Sequence, residues 1–251
     1  MGRLDGLTGD LQNWAALLSA DERRRADRLC FEQDRRRFVA ARGLLRILLA
    51  SYSGRSPEGL AFEDAGNGKP ELTETFAGRS LQFNCSHSHG RALYAVAWGA
   101  AVGVDLELVR PIPEAEAVVQ TSFSPEERAI WRALLQSERQ EAFLRAWTRK
   151  EAVLKAIGCG LALPPDRVEV TLEPGRRPAI LKVDGVPAEA SGWTIRDLRL
   201  PEGWVGAVVI EREPAFRSQE QTTADPRTRV GGQRVPAKAV SRAYRSAGIS
   251  L

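Results

Sequence analysis

Counted at about 100° per residue, Phe143, Trp147, Leu154 and Ile157 fall in one apolar stripe, which predicts a helix that packs this side inward. Arg145, Arg149 and Ala152 are predicted to point elsewhere. Lys150 falls inside the stripe, and Glu151 and Lys155 run along one flank. An ammonium in that position needs a route to water or a fixed anion. Gly158 and Gly160 end the helix before Leu161.

The same reading carried along the chain gives helices followed by strands, twice. Leu11 to Leu18 is predicted to be a short helix. Ser19, followed three residues later by Glu22, caps a second, arginine-rich helical region that runs to Tyr52. Gly54-Arg55-Ser56-Pro57 stops it, and a short strand at Leu60 to Glu63 precedes the turn from Ala65 to Pro70. Leu81 to Cys85 reads as a strand entering Ser86-His87-Ser88-His89-Gly90. Arg91 to Trp98 and Ala101 to Leu108 read as a hairpin joined by Gly99-Ala100.

Arg110-Pro111-Ile112-Pro113 is a linker. A helix from Glu114 to Thr121 follows, then one opened by Ser124, Pro125 and Glu127. Four strands are expected after the Phe143 helix: Val168 to Leu172, Ala179 to Val183, Trp193 to Leu198 and Trp204 to Glu211. The fold class is therefore α+β, with two similar halves at 1–108 and 109–212 and the charged motifs near their junction.

Composition adds few constraints. The net charge is +4 over 251 residues, and all of it lies in 213–251, where 7 Lys/Arg face 3 Asp/Glu. That basic segment has no apolar periodicity and is expected to be mostly disordered. The body from Met1 to Arg212 is neutral, which argues against a nucleic-acid-binding protein. No apolar run approaches the roughly 20 residues of a membrane span, and no signal-peptide pattern opens the chain, so a cytoplasmic protein is expected. Cys30, Cys85 and Cys159 lack the spacing of a zinc site or a disulfide framework.

Three groups of residues could carry chemistry. Asp105 and Glu107 share one face of their strand, with Cα atoms about 6 to 7 Å apart, and would repel unless exposed or bridged by a cation. Hard oxygen ligands with open positions suit Mg²⁺. Nine arginines between Asp21 and Arg46 face five carboxylates, and Arg25, Arg37 and Arg42 are candidates for a phosphate site. The Ser-His loop holds both histidines of the chain and could bond phosphate or carboxylate oxygens.

The strand GVDLE at Gly103 to Glu107, the helix WTRKEAVLK at Trp147 to Lys155 and the turn GCGL at Gly158 to Leu161 together resemble the Sfp-like 4′-phosphopantetheinyl transferases. Gly68-Lys69-Pro70, Phe83 to Ser88 and the arginine-rich region Arg35 to Arg46 are similar to further parts of that pattern. The resemblance spans Ser19 to Arg212 and implies two pseudo-two-fold-related halves with the active site between them. It implies transfer of the 4′-phosphopantetheine arm of coenzyme A to a serine of an apo acyl or peptidyl carrier protein. It also implies Mg²⁺ held by Asp105, Glu107 and Glu151, with Lys155 on the leaving phosphate.

Under the same resemblance Lys69, Ser86 and His87 contact coenzyme A, and Arg25 and Arg37 hold its 3′-phosphate. Lys150 meets a phosphate or a neighbouring carboxylate, and the serine proton goes to Glu127 or Glu151. A monomer is implied, with the carrier docking after Arg110. The sequence departs from the pattern at Met1 to Asp10, at Glu22, at the unusual Cys85 and in the tail after Arg212, which has no counterpart there. Met1 to Asp10 is short and polar for the strand that opens other members, and Glu22 stands where some relatives carry a basic residue. A module that binds coenzyme A without turning it over is the competing reading, and the intact Asp105, Glu107, Glu151 and Lys155 argue against it.

Overall fold

A computed structural model describes residues 1–5, 11–64, 69–76, 78–187 and 192–212. The basic segment 213–251 and most of the turn before Lys69 lie outside them. The chain is α+β, as expected. In order it forms β1 (Gly2–Arg3), α1 (Leu11–Ala16), α2 (Ala20–Asp27), α3 (Glu32–Ser53), β2 (Phe62–Asp64), β3 (Pro70–Leu72), β4 (Thr75–Phe76), β5 (Arg79–Ser88), β6 (Arg91–Trp98) and β7 (Val102–Leu108). There follow α4 (Ala115–Ser122), α5 (Pro125–Ala133), α6 (Gln136–Ile157), β8 (Val168–Val170), β9 (Ile180–Val183), β10 (Val186–Pro187), β11 (Trp193–Asp197) and β12 (Trp204–Glu211).

Local chemistry sets the ends of the helices. Ser19 and Glu22 form a reciprocal capping box at α2, and Ser124 and Glu127 form another at α5, where Pro125 occupies the first turn. The two 22-residue helices, α3 and α6, each stop at a left-handed glycine, Gly54 and Gly158.

The strands build antiparallel sheets in the orders β1-β6-β5-β4, β11-β12-β7, β10-β9-β8 and β2-β3. The expected hairpin across Gly99-Ala100 does not form. β6 pairs with β5 and β1, whereas β7 pairs with β12, Leu108 opposite Trp204 and Val102 opposite Ile210. A tight turn is compatible with either outcome, and the apolar face of β7 decides for the second sheet: Val104 and Leu106 are buried with Leu93, Leu198 and Trp204. Among the described residues of Met1 to Asp10, Gly2 and Arg3 form β1 and pair with Ala92 and Arg91.

α3 packs Leu45 and Leu49 on Leu81 and Phe83, and its first half against Leu4, Trp14 and Leu18. α6 is buried far more widely than one stripe. Phe143 and Leu154 face the core as expected, but so do Leu144, Ala146, Ala152, Val153 and Ala156, whereas Trp147 and Ile157 are only partly covered. Arg149 is buried as well, donating to Asp197 and to the carbonyl of Thr171. A helix enclosed on several sides loses the one-sided pattern that periodicity detects. Each fully buried Leu or Val contributes about 1.5–3 kcal/mol. The contact between α6 and β7 is the tightest. A Cβ on Gly103 would stand 2.1 Å from the carbonyl oxygen of Ala152 and 2.4 Å from the nitrogen of Ala156, so only glycine lets strand and helix backbones approach this closely.

Candidate active site

The strand–helix contact at Gly103 brings the ends of β5, β7 and α6 together beside a cavity of about 1020 Å³. Arg25, Arg37, Arg42, Lys69, His87, Glu151 and Lys155, all expected at the site, line it. Asp105 and Ser86 sit behind this lining, both buried.

Lys155 Nζ lies 2.6 Å from Asp105 Oδ1, and Ser86 donates to the same oxygen at 2.7 Å. Asp105 Oδ2 is buried and accepts no hydrogen bond from the described residues. Glu107 accepts from Ser88 at 2.8 Å. Burial first, then the neighbouring Asp105, pushes the Glu107 carboxyl above its ordinary pKa, against the pull of Ser88. Glu151 is likewise pushed up, chiefly by burial and further by Asp105 and Glu107, with Lys155 opposing. These three carboxylates therefore feel one another in a poorly solvated place.

Among the described residues, no three His, Cys, Asp or Glu side chains are already drawn together closely enough to hold a metal ion. The donor chemistry nevertheless fits a hard cation that takes one or two carboxylates and completes its shell with phosphate and water. Asp105 Oδ2, buried and without a hydrogen-bond partner among the described residues, is the oxygen left open to such an ion.

The residues expected to bind anions are already engaged. Arg37 forms a two-pronged pair with Asp5, at 2.6 and 2.9 Å, which holds the Asp5 carboxyl below its usual range. Arg42 lies 3.4 Å from Glu22 and over the ring of Phe62, and Arg25 lies over Phe38. Glu22 is not a surface charge standing in for a base. It is buried, caps α2 and pairs with Arg46 at 2.7 Å. Lys69 donates to the carbonyls of Lys155 at 3.1 Å and Val102 at 3.5 Å, and burial pulls its pKa down, with Glu71 opposing. The His87 imidazole is also pulled down, first by loss of solvent, then by Lys155 and Arg42, and so favours its neutral form.

Two expected residues lie elsewhere. Lys150 is fully buried, 2.6 Å from Glu127 Oε2, and donates to the carbonyls of Pro165 and Val168. Of the two partners open to it, phosphate or carboxylate, the structure supplies the carboxylate. Glu127 is also committed: it caps α5 through Ser124 and accepts from the Val170 nitrogen at 2.9 Å. Neither residue lines the cavity. Ser86, expected to touch a ligand, turns its hydroxyl to Asp105 instead.

Ser88 and His89, expected only as members of the Ser-His loop, line the cavity, and so does Arg91, to which the sequence assigned no role. The signal for Ser88 is spacing alone: Ser86 and Ser88 repeat every second residue, as Asp105 and Glu107 do.

Residues 101–209 match the family described as 4′-phosphopantetheinyl transferase superfamily, and residues 7–98 match the family described as 4′-phosphopantetheinyl transferase, N-terminal. The chain is 40% identical over 207 residues to the 4′-phosphopantetheinyl transferase HetI of Nostoc sp., which covers 82% of this chain and 84% of the relative. It is 29% identical over 177 residues to a 4′-phosphopantetheinyl transferase of Bacillus subtilis, covering 70% of this chain and 76% of that one. A solved ACPS-CoA complex of Chronobacterium ammoniagenes aligns with 46% of this chain and 98% of its own, at 18% identity and a TM-score of 0.34.

Proposed function

We propose how this chain, which belongs to the 4′-phosphopantetheinyl transferase superfamily, does its chemistry: it transfers the 4′-phosphopantetheine group of coenzyme A to a serine of an apo acyl or peptidyl carrier protein. The serine oxygen forms a bond to the phosphorus that carries pantetheine. The bond from that phosphorus to the adenosine bisphosphate breaks, and adenosine 3′,5′-bisphosphate leaves with the bonding pair. Such a reaction asks the protein mainly for positioning and charge neutralisation. The observation that carries the reading is Lys155 and Glu151 on the wall of one large cavity, with Asp105 directly behind them.

Asp105 and Glu107 are the proposed ligands of Mg²⁺. When bound there the ion would neutralise pyrophosphate charge. Glu151, the third acid expected in that set, is the one that faces the cavity, and its raised pKa suits it to take the serine proton. Glu127, the other candidate base, is held by Lys150 and two backbone nitrogens. Lys155 is assigned to the leaving phosphate, exchanging Asp105 for substrate. Arg25, Arg37, Arg42, Lys69 and His87 are assigned to coenzyme A, the arginines to its 3′-phosphate.

Lining residues come from both 1–108 and 109–212, which supports a monomer with a complete site. Among the described residues no helix is long and apolar enough to cross a membrane, and the three cysteines are free. Both fit a cytoplasmic reaction. The test is incubation with coenzyme A, Mg²⁺ and a panel of apo carrier proteins, read by mass. Gain of one phosphopantetheine on any carrier supports the proposal. No adduct on any, while a known transferase modifies them in parallel, overturns it.

A further inference from the structure

Three alternate residues of β5 reach across to β7. Asn84 Oδ1 accepts from the Val104 nitrogen at 3.0 Å, Ser86 donates to Asp105 Oδ1 at 2.7 Å, and Ser88 donates to Glu107 Oε2 at 2.8 Å. The rungs advance in the same direction along both strands, so the two-residue repeat of serines is matched to the two-residue repeat of carboxylates. Both serines and Asn84 are buried.

A fourth member extends the series. His89 Nδ1 lies 2.9 Å from Ser88 Oγ. The hydroxyl has one proton and gives it to Glu107, so Ser88 accepts from Nδ1–H, and the imidazole is fixed in that tautomer. The order is Nδ1–H to Oγ–H to Oε2. His89 and Gly90 form the tight turn between β5 and β6, and both have positive φ, 43° and 71°. That conformation is uncommon for a residue with a side chain, and Asn is among those that adopt it most readily.

We propose that Ser86, Ser88 and His89 are positioning residues that fix the carboxylates of β7 for a divalent cation. The inference rests on the cation reading of Asp105 and Glu107 given above. Each serine holds one named oxygen of its carboxylate and thereby sets the rotation of the group. At Asp105 this leaves Oδ2 as the buried oxygen without a hydrogen-bond partner. Ligating carboxylates depend on such outer partners for orientation, and loss of one typically costs about 10- to 100-fold in metal affinity. His89, one bond further out, holds Ser88 and so acts on Glu107 indirectly.

Direct titration of Mn²⁺, followed by electron paramagnetic resonance, tests the assignment without turnover. Ser86→Ala and Ser88→Ala should each weaken Mn²⁺ about tenfold or more, and in Ser88→Ala coenzyme A binding measured without metal should stay at the wild-type value. Ser88→Thr, which keeps the hydroxyl, should recover most of the affinity. His89→Gly, which suits the turn but removes the imidazole, should weaken Mn²⁺ several-fold, whereas His89→Asn, which keeps a donor, should weaken it less. Circular dichroism on each variant separates these effects from unfolding, and the Thr and Asn variants decide the matter if the smaller ones fail to fold. Unchanged Mn²⁺ affinity in both alanine variants, whatever their coenzyme A binding, would overturn the proposal. Wild-type protein that transfers but binds no Mn²⁺ would overturn the cation reading itself, and this inference with it.

Discussion

Lys150 Nζ lies 2.6 Å from Glu127 Oε2 in the interior of the second half, and this pair fastens α6 to the start of α5 and to the segment before β8. Two buried charges that satisfy each other become a liability when one is removed. Glu127→Ala or Lys150→Ala should each destabilise the fold by about 3–5 kcal/mol, as expected for an uncompensated buried charge. The double change Lys150→Met with Glu127→Leu should recover a large part of that loss. Denaturant unfolding of the three variants measures it. Near-wild-type stability in either alanine variant would show that the pair holds nothing together.

Glu151 and Lys155 differ from that pair by facing the cavity. Glu151→Gln keeps shape and removes the proposed base, so kcat should fall by about 10²–10⁴-fold with the KM for coenzyme A nearly unchanged. Its Mn²⁺ affinity should remain within a few-fold of wild type, whereas Asp105→Asn should lose most of it. Steady-state kinetics paired with metal titration checks both. A Glu151→Gln protein that loses Mn²⁺ binding together with turnover would make Glu151 a ligand as Asp105 is.

Asp5 carries a prediction about acid stability. Its pKa is lowered in the folded protein, mainly by the hydrogen bonds from Arg37, so the folded state binds its proton less readily than the unfolded chain does. The stabilisation is therefore present above the unfolded value, near 3.8, and disappears as the pH falls through the lower folded value. The Asp5 side chain is 42% exposed, so solvent screening keeps the effect small. Thermal unfolding between roughly pH 2 and 6 should show a shallower acid limb for Asp5→Asn than for wild type. Parallel limbs would mean that the pair contributes nothing to folding.

Gly103 sets how closely β7 approaches α6. Gly103→Ala places a methyl against two backbone groups that cannot rotate away, and should cost about 1–3 kcal/mol or more. Transfer should fall along with stability, because Asp105 moves with the strand and Lys155 with the helix. Gly175→Ala is the control: it meets nothing within 4 Å and bears only the strain of φ 75°, about 1–2 kcal/mol. Equal stability and equal activity in the two variants would remove the close approach from the account.

Much of this is legible in the sequence because it is local. Ser19 with Glu22, and Ser124 with Glu127, announce helix starts from four consecutive residues. Gly54 and Gly158 announce ends. Asp105 and Glu107 declare a common face through strand geometry alone. What periodicity misses is non-local. Arg149 reads as a surface residue until Asp197 and Thr171, more than twenty positions away, surround it. The partner of β7 cannot be chosen from Gly99-Ala100, because the choice depends on the buried faces of strands that the turn does not touch. The commitment of Ser86 to Asp105 is equally invisible, since a serine beside a histidine suits a ligand as well as a carboxylate.

The pairing of β7 with β12 also has a consequence for the order in which the protein is made. Its ladder joins residues roughly a hundred positions apart, so β7 waits for nearly the whole folded body to leave the ribosome before it has a partner. Lys155, which neutralises Asp105, emerges well before Trp204 does. The nascent chain therefore carries its acidic strand, its serines and its lysine before β7 has its ladder partner. The ladder of β7 is therefore completed late, when β12 closes on a strand that β5 and α6 can already hold.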